Sequence, residues 1–417
     1  MVWNVLLKKK KHPLVNRIYK VLLDKGFEGT FINKVYQEGH TLHLNIHLPE
    51  GKERSNLDSI LPNLQQEVAA TAVKYGKVNG KYFEILFGMR ELEDTPFSTL
   101  LLNEGTLKVV FPSAYGEVWL DFEDGASCHL LNGGTTRMGK TCFLLYIATS
   151  IFLQNNGEVD LYISSAKLKD YYPFLGIPNV RMEKDIAGMS RMLNDIIDEY
   201  KVRDELLYSP SLRKATDAKS VRKLYPEHYH LFKPIFLIID EYARFAESKD
   251  IQDMVTEIVE TAGFVNVHVI IASQRPDAST VLKSRIRANL LARMAFTTAD
   301  KKNSEIILDR EGAEKLGKIA GRGLFLDSDM HTIQVPYIEA VECDQLLEPY
   351  RREDVMYEQE NEGYDNHSEP SEIQSVEPQP TGTLSLQGEQ QSSECSEPSF
   401  EASMYGGEDI TNTKGKR

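Results

Sequence analysis

The sequence predicts an α/β protein. A mostly parallel sheet with helices on both faces follows a smaller α/β unit and precedes a polar, acidic tail. Three observations predict this. Short apolar runs at 128–132, 159–164, 235–239, 267–272, 291–297 and 323–326 are separated by stretches of helical periodicity, the pattern of strands buried on both faces. Upstream, TLHLNIHL at 41–48 alternates apolar and polar residues, which marks a strand with one buried face. From Glu353 onward the composition collapses into Glu, Gln, Ser, Pro and Gly. Such a segment cannot bury enough apolar surface to offset its ordering entropy, so disorder is expected. The expected boundaries are 1–104, 105–352 and 353–417.

In chain order, residues 1 to about 30 read as helix, with Val15, Ile18, Tyr19, Val21, Leu22 and Leu23 among Lys and Arg. The strand at 41–48 follows. Residues 56–75 read as a second helix, because Leu57, Ile60, Leu61, Leu64 and Val68 recur at helical spacing. KYFEILF at 81–87 is a second strand. In the larger unit, the polar and basic stretch at 208–230 reads as a surface excursion between a helix and the next strand.

Charge is unevenly spread. The net charge is -14, but 15 acidic and 3 basic residues lie from Glu353 onward, leaving 47 acidic against 45 basic before it. The body is near neutral, so the acidic balance does not exclude a nucleic-acid partner. It leaves the tail as a candidate contact for a protein partner. Cys128, Cys142, Cys343 and Cys395 fall in no metal-ligand spacing and suit a reducing cytoplasm. The apolar N-terminal stretch is far shorter than the roughly 20 residues a bilayer needs. Charges interrupt every later apolar run, so no membrane span is expected. The lysines at 8–11 read as a solvated basic end.

The strongest local signal is CHLLNGGTTRMGKTCFLLYIA. Gly134, Gly139, Lys140 and Thr141 fit G-x-x-x-x-G-K-[ST], with a strand before the loop and an apolar helix after it. This arrangement aims backbone N–H groups and a helix N-terminus at an anion. Gly134, Thr135, Thr136, Arg137, Met138, Gly139, Lys140, Thr141 and Cys142 form the expected phosphate cradle for ATP. Lys140 reaches the β and γ phosphates, and the Thr141 hydroxyl suits Mg²⁺. The larger unit is thus predicted to be a RecA-like P-loop NTPase domain of the additional-strand kind.

About 100 residues on, the apolar strand at 235–239 ends in Asp240 and Glu241. The strand is expected to lie beside the P-loop strand and deliver both carboxylates to the phosphates. Asp240 would hold the Mg²⁺ water shell and Glu241 would polarise the attacking water. A third buried strand, VHVIIAS, ends at Gln274, where a side chain can sense the γ phosphate or orient water.

The order GTTRMGKT, IIDE, IIASQRP, RANLLARMAF and SEIILDREGAEKLGKIAGRGLFL resembles the FtsK/SpoIIIE family of DNA-pumping ATPases over roughly residues 111–351. The preceding residues look like a reduced form of that family's small domain. The resemblance implies a homo-oligomeric ring, usually a hexamer, that moves double-stranded DNA. Carried over by motif, Lys140 and Thr141 are the Walker A pair, Asp240 and Glu241 the Walker B pair, and Gln274 the sensor. Arg293 matches a family arginine and is a candidate to complete a neighbour's site, with Arg285, Arg287 and Arg322 as rivals. Several features depart from the family. Arg137 and Met138 replace small residues, YISSAK retains only Lys167 of a usual Asp-Pro-Lys, and neither a membrane anchor nor a DNA-reading winged helix is visible. A motor of a plasmid, phage or integrative element fits these departures. A coupling ATPase of a mobile element, or an ATP-switched assembly or secretion adaptor, are the alternatives. Candidate DNA contacts are Arg213, Lys214, Lys219, Arg222 and Lys223, and Lys283, Arg285 and Arg287.

Overall fold

The computed structural model describes residues 13–79, 82–99, 102–274 and 282–352. The chain divides into two units, Met1–Asn366 and His367–Arg417. The second lies wholly outside the described residues, as do the expected tail, Cys395, the lysines at 8–11 and the RPD that follows Gln274.

The first elements are α1 (Pro13–Asp24), β1 (Phe31–Glu38), β2 (Thr41–His47), α2 (Arg54–Leu57), α3 (Leu61–Val68), β3 (Ala72–Asn79) and β4 (Tyr82–Gly88). The strands form an antiparallel sheet in the order β1-β2-β4-β3. Helix α1 buries Val15, Ile18 and Leu22, and α3 buries Leu64 and Val68. These meet Leu42, Leu44, Ile46, Ile85 and Phe87 in one small core. Two strands were not legible. The helix read over 56–75 stops at Val68, because Ala69 turns left-handed at φ 58°. Val73 and Tyr75 then pair with Phe87 and Ile85. In β1, Val35 alone is buried, so no period-two signal exists.

The larger sheet comprises β5 (Lys108–Ser113), β6 (Gly116–Asp121), β7 (Leu130–Gly133), β8 (Asp160–Ser165), β9 (Val180–Glu183), β10 (Ile235–Asp240), β11 (Val267–Ser273), β12 (Ala292–Phe296), β13 (Arg322–Leu326) and β14 (Met330–Gln334). Their order is β6-β5-β14-β13-β12-β7-β11-β10-β8-β9. From β12 to β9 every pairing is parallel, and from β12 to β6 every pairing is antiparallel. The expected α/β architecture holds, with an antiparallel extension at one edge.

The helices are α4 (Lys140–Gln154), α5 (Ile186–Leu207), α6 (Ala218–Leu224), α7 (Lys249–Thr261), α8 (Ser284–Asn289), α9 (Lys301–Leu308) and α10 (Ala340–Leu347). Alternate residues of β10 and β11 feed different cores. Leu237, Ile239, Val269 and Ile271 meet α5 and α7 on one face. Phe236, Ile238, Ile270 and Ala272 meet α4 on the other. Helix α4 is apolar nearly all round and is accordingly buried along most of its length. The stretch at 208–230 is less of an excursion than expected: it contains α6, and Leu212, Val221 and nearby Phe232 anchor it in the core. Among the described residues no helix is long and apolar enough to cross a membrane.

Candidate active site

The loop from β7 to α4 lies at the carboxyl ends of the parallel strands, where open α/β sheets bind ligands. Gly134 has φ 143°, and a Cβ there would stand 2.7 Å from the Phe296 Cβ. Gly139 caps α4 at φ 108°, and a Cβ there would stand 3.0 Å from the Gly321 backbone nitrogen. Both positions require glycine. Arg137 also adopts a left-handed conformation, at φ 64°, which is uncommon for a residue with a side chain; the larger residue is held there in a conformation that favours glycine. The loop is tied at its root: Thr135 donates its N–H to Thr297 O at 2.8 Å and its hydroxyl to the same oxygen at 3.0 Å. Gly321 N–H donates to Met138 O at 3.0 Å.

Lys140 folds back across the loop and donates to Gly134 O at 2.7 Å and Thr135 O at 3.0 Å. It is buried, and burial pushes its pKa down while Glu241 and Asp240 counter that shift. Thr141 follows it in the first turn of α4, whose free N–H groups point to the loop.

Asp240 ends β10, and Glu241 sits beyond it at φ 62°. A left-handed Glu is uncommon and re-aims the carboxylate at the strand end. Burial raises the pKa of both acids. For Asp240 the Tyr171 hydroxyl and Lys140 oppose the shift, and for Glu241 the Gln274 N–H and Lys140 oppose it. The Tyr171 hydroxyl donates to Asp240 Oδ2 at 3.2 Å. Gln274 N–H lies 3.3 Å from each Glu241 oxygen, and the Thr136 hydroxyl donates to Gln274 Oε1 at 3.0 Å.

One expectation is corrected. β10 is not beside the P-loop strand; β11 separates β10 from β7. The acids still reach the loop, because β11 ends level with both and carries Gln274 as the bridge. A single cleft of about 710 Å³ collects Thr136, Lys140, Thr141, Asp240, Glu241 and Gln274. Arg137, Gly139 and Cys142 also line it. The cradle that a Cβ would fill fits a polyphosphate. The Thr141 hydroxyl and the half-buried Asp240 carboxylate in one cleft form an all-oxygen donor pair that fits Mg²⁺.

Arg293 is not brought to this cleft. It is 5% exposed in β12 and donates to Leu290 O at 2.9 Å, to Ile307 O and Arg287 O at 3.3 Å each, and to the Asp309 carboxylate. Among its rivals, Arg285 pairs with Glu260 at 2.6 Å, Arg287 with Asp309 at 3.0 Å, and Arg322 donates to Gln334 at 2.9 Å. Lys283 pairs with Asp253 at 3.2 Å, and Arg222 binds Glu123. Arg213, Lys214, Lys219 and Lys223 are exposed. Lys167, retained from the family pattern, does line the cleft, together with Arg244, which sequence reading missed. Its spacing of three from Glu241 was the available signal. Tyr171 was missed as well, and nothing in its local sequence separates it from a core aromatic.

No family model matches the sequence. The chain is 32% identical over 239 residues to the DNA translocase FtsK of Leptospira interrogans, covering 54% of this chain and 24% of that protein. It is 30% identical over 253 residues to the DNA translocase SpoIIIE of Bacillus subtilis, covering 57% and 30%. The match therefore spans less than a third of either curated relative. Among solved structures, the pCW3 conjugation coupling protein TcpA superposes with a TM-score of 0.56 at 17% identity, over 82% of this chain and all of that one. The cytoplasmic domain of the Thermomonospora curvata type VII secretion ATPase EccC superposes with a TM-score of 0.52 at 18% identity, over 60% of this chain and 32% of that one. Over about half its length the chain is therefore similar in sequence to the FtsK and SpoIIIE DNA translocases, as the motifs indicated, and it shares the fold of these ATPases.

Proposed function

We propose that the chain hydrolyses Mg-ATP and couples the cycle to movement of double-stranded DNA as a homo-oligomeric ring, with six subunits as the family expectation. The observation that carries the hydrolytic part is the linked cleft: Thr136 of the loop, Gln274 and Glu241 form one hydrogen-bonded chain beside Lys140 and Asp240. The DNA and ring parts rest on the homology and on the exposed lysines and arginine at 213–223. A cytoplasmic location is the expectation that goes with such a substrate.

In this reading the loop N–H groups and Lys140 bind and orient the phosphates. Lys140 must first leave Gly134 O and Thr135 O. Thr141 and Asp240 would hold Mg²⁺, which would supply charge neutralisation at the phosphates. Glu241 takes the proton of the attacking water, a task suited to a carboxylate whose pKa burial has raised. Gln274 senses the phosphate through Thr136. Lys167 and Arg244 are the cleft cations that serve the transition-state charge from the same chain, and Arg293 serves the fold.

The test is the steady-state ATPase rate with linear duplex, with single strand and with no DNA. Duplex stimulation supports the translocase reading. Preferential single-strand stimulation would favour the coupling-ATPase alternative, and no response to either would favour an assembly or secretion adaptor.

A further inference from the structure

The described segment Leu168–Phe174 follows β8 and packs Tyr171 and Phe174 into the core beside α4. Tyr171 is fully buried, at 0% exposure. The large rings sharing its core include Phe122, Phe143, Phe152, Phe174 and Phe236, so a phenylalanine would satisfy the packing. A buried hydroxyl among them costs desolvation unless it has a partner. Its partner is Asp240 Oδ2 at 3.2 Å. No other hydrogen bond to the Asp240 carboxylate is present among the described residues.

We propose that Tyr171 is a positioning residue for the divalent cation of this site. An aspartate at a strand end can rotate its carboxylate and exchange its two oxygens. With Oδ2 bonded to the buried phenol, that rotation is stopped, and Oδ1 is the oxygen left for the cation's water shell, in the cleft that Thr141 shares. The anchor is itself held. Arg351 donates to Pro173 O at 2.7 Å, and Arg352 N–H donates to Gly176 O at 2.9 Å, so the C-terminal end of the described chain braces the segment that carries the ring. Groups that orient a metal ligand from behind typically account for about 10–100-fold in metal affinity. The inference rests on the reading of the cleft as an Mg-ATP site.

The test uses the full chain and a fluorescent ATP analogue, with binding followed as Mg²⁺ is titrated from an EDTA baseline. Tyr171→Phe should bind the analogue in EDTA as the unaltered protein does, melt at the same temperature without nucleotide, and need about 10-fold more Mg²⁺. In an Asp240→Asn background, adding Tyr171→Phe should shift the Mg²⁺ midpoint no further, because the hydroxyl acts through the aspartate. An unchanged midpoint for Tyr171→Phe would overturn the inference while leaving the nucleotide site intact. Loss of the folded state in Tyr171→Phe would also overturn it, by assigning the hydroxyl to the core. If the unaltered chain bound no analogue at all, the Mg-ATP reading would fall, and this inference with it.

Discussion

The hydroxyl of Thr136 donates to Oε1 of Gln274 at 3.0 Å, joining the phosphate loop to the end of the strand that separates it from the acidic pair. The N–H of the same glutamine lies 3.3 Å from both oxygens of Glu241. One residue thus touches the loop through its side chain and the proposed base through its backbone. Gln274→Ala keeps the backbone contact and deletes the bridge. Nucleotide binding should persist while hydrolysis falls about 100-fold, the usual loss for one pre-positioned polar group at a developing charge. Equilibrium binding and single-turnover hydrolysis on the same preparation check this. Unchanged turnover would reduce the bridge to a resting contact.

Arg293 should behave as a stability residue. Removing it leaves the carbonyls of Leu290, Ile307 and Arg287 without this donor and Asp309 without one of its two arginines. Arg293→Ala should lower unfolding free energy by about 3 kcal/mol, as expected when one partner of a buried, hydrogen-bonded charge is lost. Denaturant midpoints, together with ATPase activity per folded molecule, separate the alternatives. Full stability with lost hydrolysis would return Arg293 to the role of a cation supplied to a neighbour.

Two histidines at the opposite end of the sheet predict acid sensitivity. Burial pushes the pKa of His129 down to about 3 and that of His268 down to about 4, from 6.5. Neighbours lower both further, His129 because its charged form would be repelled by a protonated His268 and His268 because of the Arg203 charge, while hydrogen bonds to the Val259 and Cys128 carbonyls oppose the shifts. Between those values and 6.5 the unfolded chain holds up to two more protons than the folded one. Their stabilising effect is therefore complete above pH 6.5 and declines as pH falls, by up to about 1.4 kcal/mol per pH unit for each ring. Urea unfolding at pH 7.5, 5.5 and 4.5 should show this slope, and His268→Gln should reduce it. A pH-independent midpoint would contradict the assignment of both rings as buried and neutral.

Glu241→Gln should bind ATP and retain it. The exchange keeps the shape of the side chain and removes the group that takes a proton from water. Filter retention of labelled ATP over minutes would show the trapped state, and rapid turnover would assign the base elsewhere.

The motifs that act through backbone geometry were legible in the sequence, because glycine spacing and a flanking strand and helix leave a local trace. Lys140, Thr141, Asp240, Glu241 and Gln274 all reach one cleft for that reason. What was illegible depends on partners distant in the chain. Strand order is not encoded in any single strand, so β10 was placed beside β7, although the additional-strand class itself implies an inserted strand, which β11 supplies. Tyr171 meets Asp240 across 69 residues of sequence, and alone it reads as one more core aromatic. Arg293 matched a family position, but its burial is set by the Leu290, Ile307 and Asp309 groups around it. The strand at 72–79 was hidden because a left-handed Ala69, unlike a glycine, gives no stop signal.

The central claim is that this cleft hydrolyses ATP and that duplex DNA drives it. The most direct measurement is phosphate release by the full chain with and without linear duplex, run beside Lys140→Ala. ATP hydrolysis should rise with duplex and disappear in Lys140→Ala, whose loop lacks the ammonium that reaches the phosphates. Hydrolysis in Lys140→Ala equal to that of the unaltered chain, or a rate indifferent to duplex at every concentration, would contradict it.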